Sequence, residues 1–387
     1  MLDRTSMYYF RLSGRGIQLA MLLAKNQSLD KTARIWEIYS KESTDAAQLA
    51  AELASHPFTA AWTEDLLNQP LLITGSTQAY LPISCTLQLT NACNLTCPFC
   101  YASSGKPYPD ELRTSQWIEV MQKLAAHGVA DLTLTGGEAR LARGFKDILV
   151  AAGSLFHNVT IFSNGLGWKD EEIELIHLLG NVSLQISIDG LASTHDKLRT
   201  RQGAFRESMH NVARFAERSV PVVIAMTVNE VNAGEVYDVI GEAVRAGASV
   251  FRVGRTLPVG RATAEMAVLP QEKEELVRGQ LRSAVQTWGE QMTIIDWDTE
   301  HDQGLNDFCT PGYLAWYIRA DGWVTPCQIE DTTLGHILTD SMLEIGSISR
   351  LNQAKQTCKN CRCMGHVDIS EVDLPFAHSL NAEVRSR

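Results

Sequence analysis

The chain has 387 residues, and 45 acidic against 34 basic side chains give it a net charge of -11. That length suits one large α/β domain with one or two smaller ones. The acidic balance offers no overall footprint for a phosphate backbone, which weighs against tRNA or DNA as substrate, although a local basic patch is compatible with it. Met1–Phe10 lacks the basic start and apolar run of a secretion signal, and no stretch approaches the roughly 18 apolar residues that span a bilayer, so a cytosolic protein without membrane contact is expected. Eight of the nine cysteines fall in two clusters, which fits metal ligation in a reducing compartment better than disulfides. Cys85 stands apart in a predicted buried strand and reads as a small core residue.

Residues 1 to about 72 do not read as barrel. Met7–Leu12 forms a strand-like run, followed by short helical patterns at Ile17, Met21 and Ala24, at Ala33–Ile38, at Ala46–Leu53 and around Ala60–Leu67, with Pro57 between the last two. A strand followed by three or four short helices suggests a winged-helix-like module over residues 1–75. It resembles the PqqD-like recognition elements fused to enzymes that modify ribosomally made peptides. The resemblance implies a leader peptide added as a strand to an exposed sheet edge; a structural cap on the following domain is the alternative.

From Ser84 to about Arg261, strands and helices alternate. The predicted strands are 84–90, 131–135, 158–163, 182–188, 221–228 and 249–253, separated by amphipathic patterns such as Trp117, Met121 and Leu124, or Val236, Ile240 and Ala243. Six βα units in succession predict a parallel sheet curved into a partial barrel over residues 80–265. Its chemistry belongs on the loops at the carboxyl ends of the strands.

The first such loop, Asn91–Tyr101, carries Cys93, Cys97 and Cys100 at a C-x3-C-x2-C spacing. Three thiolates can wrap one compact metal centre and leave a coordination position open, whereas a closed structural zinc site uses four protein ligands. A zinc knuckle or three unrelated core cysteines remain the alternatives from spacing alone. The stretch resembles the signature of the radical S-adenosylmethionine (SAM) enzymes, in which three cysteines hold a 4Fe-4S cluster whose fourth iron is chelated by SAM. Phe99 matches the aromatic position that packs on the adenine in that family.

Further motifs follow at the later strand ends. Thr135-Gly136-Gly137-Glu138 matches the family's GGE segment, where the resemblance implies that backbone and Glu138 carboxylate, exposed by two glycines that let the backbone approach a ligand, meet the SAM amino group. Ala139 departs from the usual proline. Ser163-Asn164-Gly165 is similar to the family's Thr-Asn-Gly, and Ser187 and Asp189 share one face of a strand and suit a ribose. His195–Arg199 resembles the H-D-x-x-R segment of peptide-modifying members, which makes Arg199 a candidate for the SAM carboxylate or, alternatively, a solvated surface residue. Thr227 and Val253 occupy cofactor-lining positions in relatives, with plain core the better reading of Val253. Leu257–Arg261 resembles a P-x-G-R turn that closes the barrel.

A helix from about Pro270 to Trp288 dominates a connection over 266–305. The tail, 306–387, holds Cys309, then Gly322, then Cys327, a spacing that resembles the opening of the SPASM domain, with Tyr317–Thr325 reading as a hairpin about an Asp-Gly turn. Cys358, Cys361 and Cys363 follow in a shorter second half. Five cysteines can saturate one auxiliary 4Fe-4S cluster, not two, so a reduced SPASM or twitch-like domain is expected, with Cys309 and Cys327 joined by two of the last three. His366 is a further candidate, and a zinc site is the alternative.

The resemblance thus implies SAM cleavage, a precursor peptide with a leader as partner, and a low-potential donor of flavodoxin or ferredoxin type. Formation of a carbon-carbon, carbon-oxygen or thioether crosslink in the peptide is the leading expectation. A cofactor precursor or a protein residue, as in sulfatase maturation, is the second substrate class, and a non-catalytic iron-sulfur or zinc protein is the alternative of another kind.

Overall fold

The computed structural model describes residues 28–40, 79–295 and 311–357. Contacts divide the chain into two compact units, Met1–Ala79 with His366–Arg387, and Tyr80–Gly365. In the first unit, helix α1 (Leu29–Ser40) covers the Ala33–Ile38 pattern. Ser28 opens it, its hydroxyl accepting from Lys31 N at 3.3 Å, and Thr32, Ala33 and Trp36 form its buried face at helical spacing. The expected strand Met7–Leu12 and the other helical patterns of residues 1–75 lie outside the described residues.

The second unit carries β1 (Ser84–Gln88), α2 (Thr114–Ala126), β2 (Asp131–Thr135), α3 (Phe145–Leu155), β3 (Asn158–Ser163) and α4 (Asp170–Leu179). It continues with β4 (Val182–Ser187), α5 (Ala192–Leu198), α6 (Ala204–Glu217), β5 (Val222–Val228), α7 (Val236–Arg245) and β6 (Val250–Arg255). The six strands are parallel neighbours in sequence order. That order is the barrel order, since a doubly wound sheet reverses direction at its first strand.

Alternation within the strands shows how the sheet is clothed. In β4 and β5 every second residue is buried, Val182, Leu184 and Ile186, then Val222, Ile224 and Met226. These face the helices, whose own apolar stripes include Trp117, Val120, Met121 and Leu124 on α2; each such side chain contributes about 1.5–3 kcal/mol when fully buried. The opposite face holds half-buried Thr86, Thr133, Thr160 and Ser183, which the strand register sets in one row. Thr160 and Ser183 hydroxyls lie 3.1 Å apart. The inner wall is therefore polar and accessible, unlike the filled interior of a closed eight-stranded barrel.

Two parallel strands flank the expected six. After the short helix α8 (Ala264–Ala267) and the long α9 (Gln271–Trp288), β7 (Thr293–Ile295) pairs with β6. At the other end β8 (Ala315–Ile318) runs beside β1, with Tyr317 opposite Thr86. The predicted hairpin is present: β8 turns at Gly322, φ +86°, into antiparallel β9 (Trp323–Thr325), followed by β10 (Gly335–His336). Runs of three or four residues are too short for a period to register, which is why the sequence shows the hairpin through its turn but not the ladder it joins. Helices α10 (Met342–Ile345) and α11 (Ile348–Thr357) close the described chain. Lys123 on α2 ties this segment to the barrel by donating to the carbonyls of Ile337 and Asp340 at 2.7 and 2.6 Å.

Candidate active site

The cysteine loop leaves β1 at the carboxyl edge of the sheet and is held there from several sides. Cys93 N donates to Gly105 O at 3.0 Å, and Gly105 N returns a bond to Asn91 O at 2.9 Å. The Glu111 carboxylate accepts from Thr90 Oγ1, Asn91 N and Tyr108 N at 2.8, 2.6 and 2.9 Å. From β2, Gly137 N and Glu138 N donate to the carbonyls of Thr90 and Ala92, both at 2.8 Å. A Cβ on Gly136 would lie 2.8 Å from Thr90 O, and one on Gly137 would run into the Ala92 carbonyl. The two glycines are thus needed for close approach to the cysteine loop itself.

The far side of the loop is clamped from the turn that follows β6. Arg261 Nε donates to Cys97 O at 2.8 Å and Nη1 to Ser104 O at 2.6 Å, while its backbone N donates to Cys100 O at 3.0 Å. Gly260, at φ +65°, lies so close that a Cβ would collide with the Cys100 and Tyr101 carbonyls. At the outer rim Thr96 N donates to Thr200 Oγ1 at 3.2 Å. The sequence marks Arg261 only as a turn residue and gives no signal at all for Glu111.

Leu95, Phe99, Leu166, Leu198 and Ala262 form an apolar shell against which Cys93 and Cys100 pack, with Cys97 buried among them. Burial pushes the Cys93 thiol up to about 11, with lesser contributions from Glu138 and the neighbouring thiols. Cys97 is also raised by burial, opposed by the nearby Arg199 charge. Metal loading at this loop must therefore displace thiol protons. Cys85 is buried in β1 as expected.

Glu138, Ser163 and Asn164 come together in one network. Glu138 is buried, a correction to its expected exposure: Oε1 accepts from Ser163 Oγ at 2.9 Å and Oε2 from Asn164 N at 2.8 Å. Burial raises its pKa, and these two hydrogen bonds oppose the rise. Asn164 Nδ2 reaches back to the cysteine loop at Asn94 Oδ1, 2.7 Å. The network therefore braces the loop from β3.

Asp189, Arg199, Phe99 and Cys97 form the second constellation. Arg199 is buried, which corrects the solvated-surface alternative. Its Nη2 pairs with Asp189 Oδ2, its Nη1 lies 3.9 Å from Cys97 Sγ, and its guanidinium carbon stands 5.6 Å from the centre of the Phe99 ring. Asp189 Oδ1 accepts from Thr227 N at 2.8 Å, so both carboxylate oxygens are engaged. Ser187, half-buried, is the more accessible of the proposed ribose pair. Asp189 N donates to His195 Nδ1 at 3.0 Å, which makes Nδ1 the acceptor and places the ring proton on Nε2. Burial lowers the His195 pKa to about 4, consistent with that neutral form. Val253 is buried core. Arg199 Nε, buried without a hydrogen-bond partner among the described residues, leaves cationic donor capacity beside the thiols, which fits an anionic ligand group there.

The tail contributes buried Tyr317, close to Tyr101, the residue after Cys100; burial raises the pKa of both phenols, and the Tyr317 and Thr135 side chains oppose the rise at Tyr101. Cys327 follows β9, its carbonyl accepting from Thr325 Oγ1 at 2.8 Å. Cys309, Cys358, Cys361, Cys363 and His366 lie outside the described residues.

Residues 87–243 match the radical SAM superfamily. With the relative described next, this establishes that the chain belongs to that superfamily. The sporulation killing factor maturation protein SkfB of Bacillus subtilis is 62% identical over 385 residues, covering all of this chain and 94% of that one. The PqqA peptide cyclase of Methylorubrum extorquens is 25% identical over 309 residues, 72% of this chain and 77% of that one. Among solved structures, Streptococcus suis SuiB bound to precursor peptide SuiA matches with a TM-score of 0.69 at 13% identity, covering 94% of this chain and 88% of that one, a likeness of fold. Among the described residues, no helix is long and apolar enough to cross a membrane.

Proposed function

We propose that this chain is a cytosolic radical SAM maturase that installs a crosslink in a ribosomally made precursor peptide. The observation that carries the reading is the braced three-cysteine loop, with a buried arginine beside its thiols, in a chain 62% identical along its whole length to a maturation protein. Cys93, Cys97 and Cys100 would hold a 4Fe-4S cluster and leave one iron open for SAM. When bound, that pair supplies reductive cleavage of SAM to methionine and a 5'-deoxyadenosyl radical able to take a hydrogen from the peptide.

The chain's own residues orient and shield. Arg199 offers its charge to the SAM carboxylate, Phe99 a face for the adenine, and Ser187 a hydroxyl for the ribose. Gly136, Gly137 and Glu138, with Ser163, Asn164, Asp189 and Thr227, fix the walls against which SAM would lie. The apolar shell of Leu95, Leu198 and Ala262 excludes water. Cys309, Cys327 and two of Cys358, Cys361 and Cys363 would carry one auxiliary 4Fe-4S cluster to take up the second electron. Residues 1–75 would bind the leader, and a low-potential donor of flavodoxin or ferredoxin type would supply the first electron. Any of the three crosslinks removes two hydrogens from the peptide.

The test is anaerobic reconstitution with SAM, dithionite and a candidate precursor peptide, sought as a short open reading frame beside this gene. The expected result is 5'-deoxyadenosine together with a peptide lighter by two hydrogens, both lost in a Cys93/Cys97/Cys100→Ala variant. An iron-loaded protein that neither binds nor cleaves SAM would overturn the reading.

A further inference from the structure

Reduction requires an electron to reach the cysteine loop from outside, and the loop meets solvent at Asn94 and Thr96. Thr96 is joined there to exposed Thr200 by two contacts, N to Oγ1 at 3.2 Å and Oγ1 to Oγ1 at 3.0 Å. From the Thr200 surface, a path to Cys97 crosses one hydrogen bond and one peptide link. A second path runs through Arg199, whose Nη1 is 3.9 Å from Cys97 Sγ.

Immediately beside Thr200 lies an open cleft of about 560 Å3 lined by Arg201, Gln202, Gly203, Arg206, Glu207 and His210. Residues 203, 206, 207 and 210 share one face at the start of α6. The nearby acids are turned to structural tasks. Asp196 accepts from Gly203 N at 2.6 Å and Phe205 N at 2.9 Å, and Glu207 accepts from Gly167 N at 2.8 Å and Arg201 Nη2 at 2.7 Å. Arg206 is exposed and makes no ion pair among the described residues. Two arginines against one glutamate, itself paired with Arg201, leave the cleft a small positive excess at Arg206, a local exception on a chain of net charge -11, and the cleft adjoins the solvent edge of the loop through Thr200.

We propose that this cleft is the docking surface for a negatively charged one-electron donor protein. The inference rests on the proposed cluster at Cys93, Cys97 and Cys100. In the step, the donor would be oxidised by one electron and a cluster held by Cys93, Cys97 and Cys100 would be reduced by one; no bond would form or break on this chain. The chain's net negative charge disfavours such a donor overall, and charge complementarity at the cleft orients it toward the loop.

The experiment uses the full reconstituted chain and a fluorescently labelled acidic flavodoxin. Arg206→Glu combined with Gln202→Glu is expected to weaken flavodoxin binding, read by anisotropy, at least tenfold, and to raise the flavodoxin concentration that half-saturates SAM cleavage by a similar factor. Arg206→Lys should remain within about threefold of wild type. Dithionite-driven 5'-deoxyadenosine formation, which bypasses docking, should stay within about twofold in every variant, so a failure of the radical SAM reading shows separately as no dithionite-driven product in the wild type. Unchanged flavodoxin affinity would overturn the proposal. So would an equal fall in the dithionite arm, which makes the cleft structural, or a selective loss of precursor-peptide affinity, which assigns it to the peptide.

Discussion

Replacing Arg261 with Met tests whether the cysteine loop is held in shape by its clamp. The substitution removes the bonds to Cys97 O and Ser104 O. Hydrogen bonds from a charged donor contribute about 1.5–3 kcal/mol each. The side chain is half-buried, so water can replace part of this, leaving roughly 3 kcal/mol of loop stability lost from the two. At 1.4 kcal/mol per tenfold, the open loop becomes about 100-fold more populated. If cluster loss proceeds through the open loop, iron should leave the reconstituted variant for a strong chelator about 100-fold faster, followed as decay of visible absorbance in the oxidised, SAM-free protein. Arg261→Lys can satisfy one carbonyl at a time and should fall between. Equal half-lives for wild type and Arg261→Met would refute the clamp.

Gly260→Ala places a side chain against two loop carbonyls at a positive φ and should load less iron per chain than Arg261→Met; full loading would show that the loop can shift. Glu111→Gln leaves an amide group among three donors now shared by one carboxylate. It should cost roughly 2 kcal/mol and lower the melting temperature of the apo chain by about 5 °C, with an unchanged melting point counting against the role. His195 has a folded pKa of about 4 against 6.5 in its ordinary state, so its neutral form supports the fold fully above pH 6.5 and this support fades as pH falls toward 4. Between pH 7 and pH 5 the loss is about 2 kcal/mol of unfolding free energy. His195→Gln, which can still accept from Asp189 N, should flatten this part of the urea-denaturation profile; an identical pH dependence in both proteins would refute it.

The strands were legible because β-branched and apolar runs bounded by turn residues mark them locally: 131–135 and 158–163 match at both ends. The three cysteines, Glu138 and Arg199 were legible as motif positions. Their actual engagements were not. Arg261 reaches Cys97 across 164 positions and Ser104 across 157, and Asn164 reaches Asn94 across 70; no local pattern encodes such partners. Nor did the sequence show that Asp189 would pair with Arg199, because a turn and a whole short helix must fold before the two charges meet. Glu138 illustrates the same limit from the other side. A carboxylate after two glycines reads as exposed, and only the Ser163 hydroxyl and Asn164 amide, supplied by the next strand, make its burial affordable.

The pairing of β8 with β1 bears on how such enzymes can diversify. The strand that carries the hairpin of the cysteine-rich tail is hydrogen-bonded to the strand that delivers the cysteine loop, from Ser84 opposite Ala315 to Leu87 opposite Ile318. A tail grafted from another enzyme would have to bring an edge matching β1 in length and register, and a chain cut after α9 would leave β1 with an unpaired flank open to other chains. Exchange of the tail is therefore constrained by the edge of β1 that it has to match. Drift of the tail in place is the evolutionary route that keeps this edge covered.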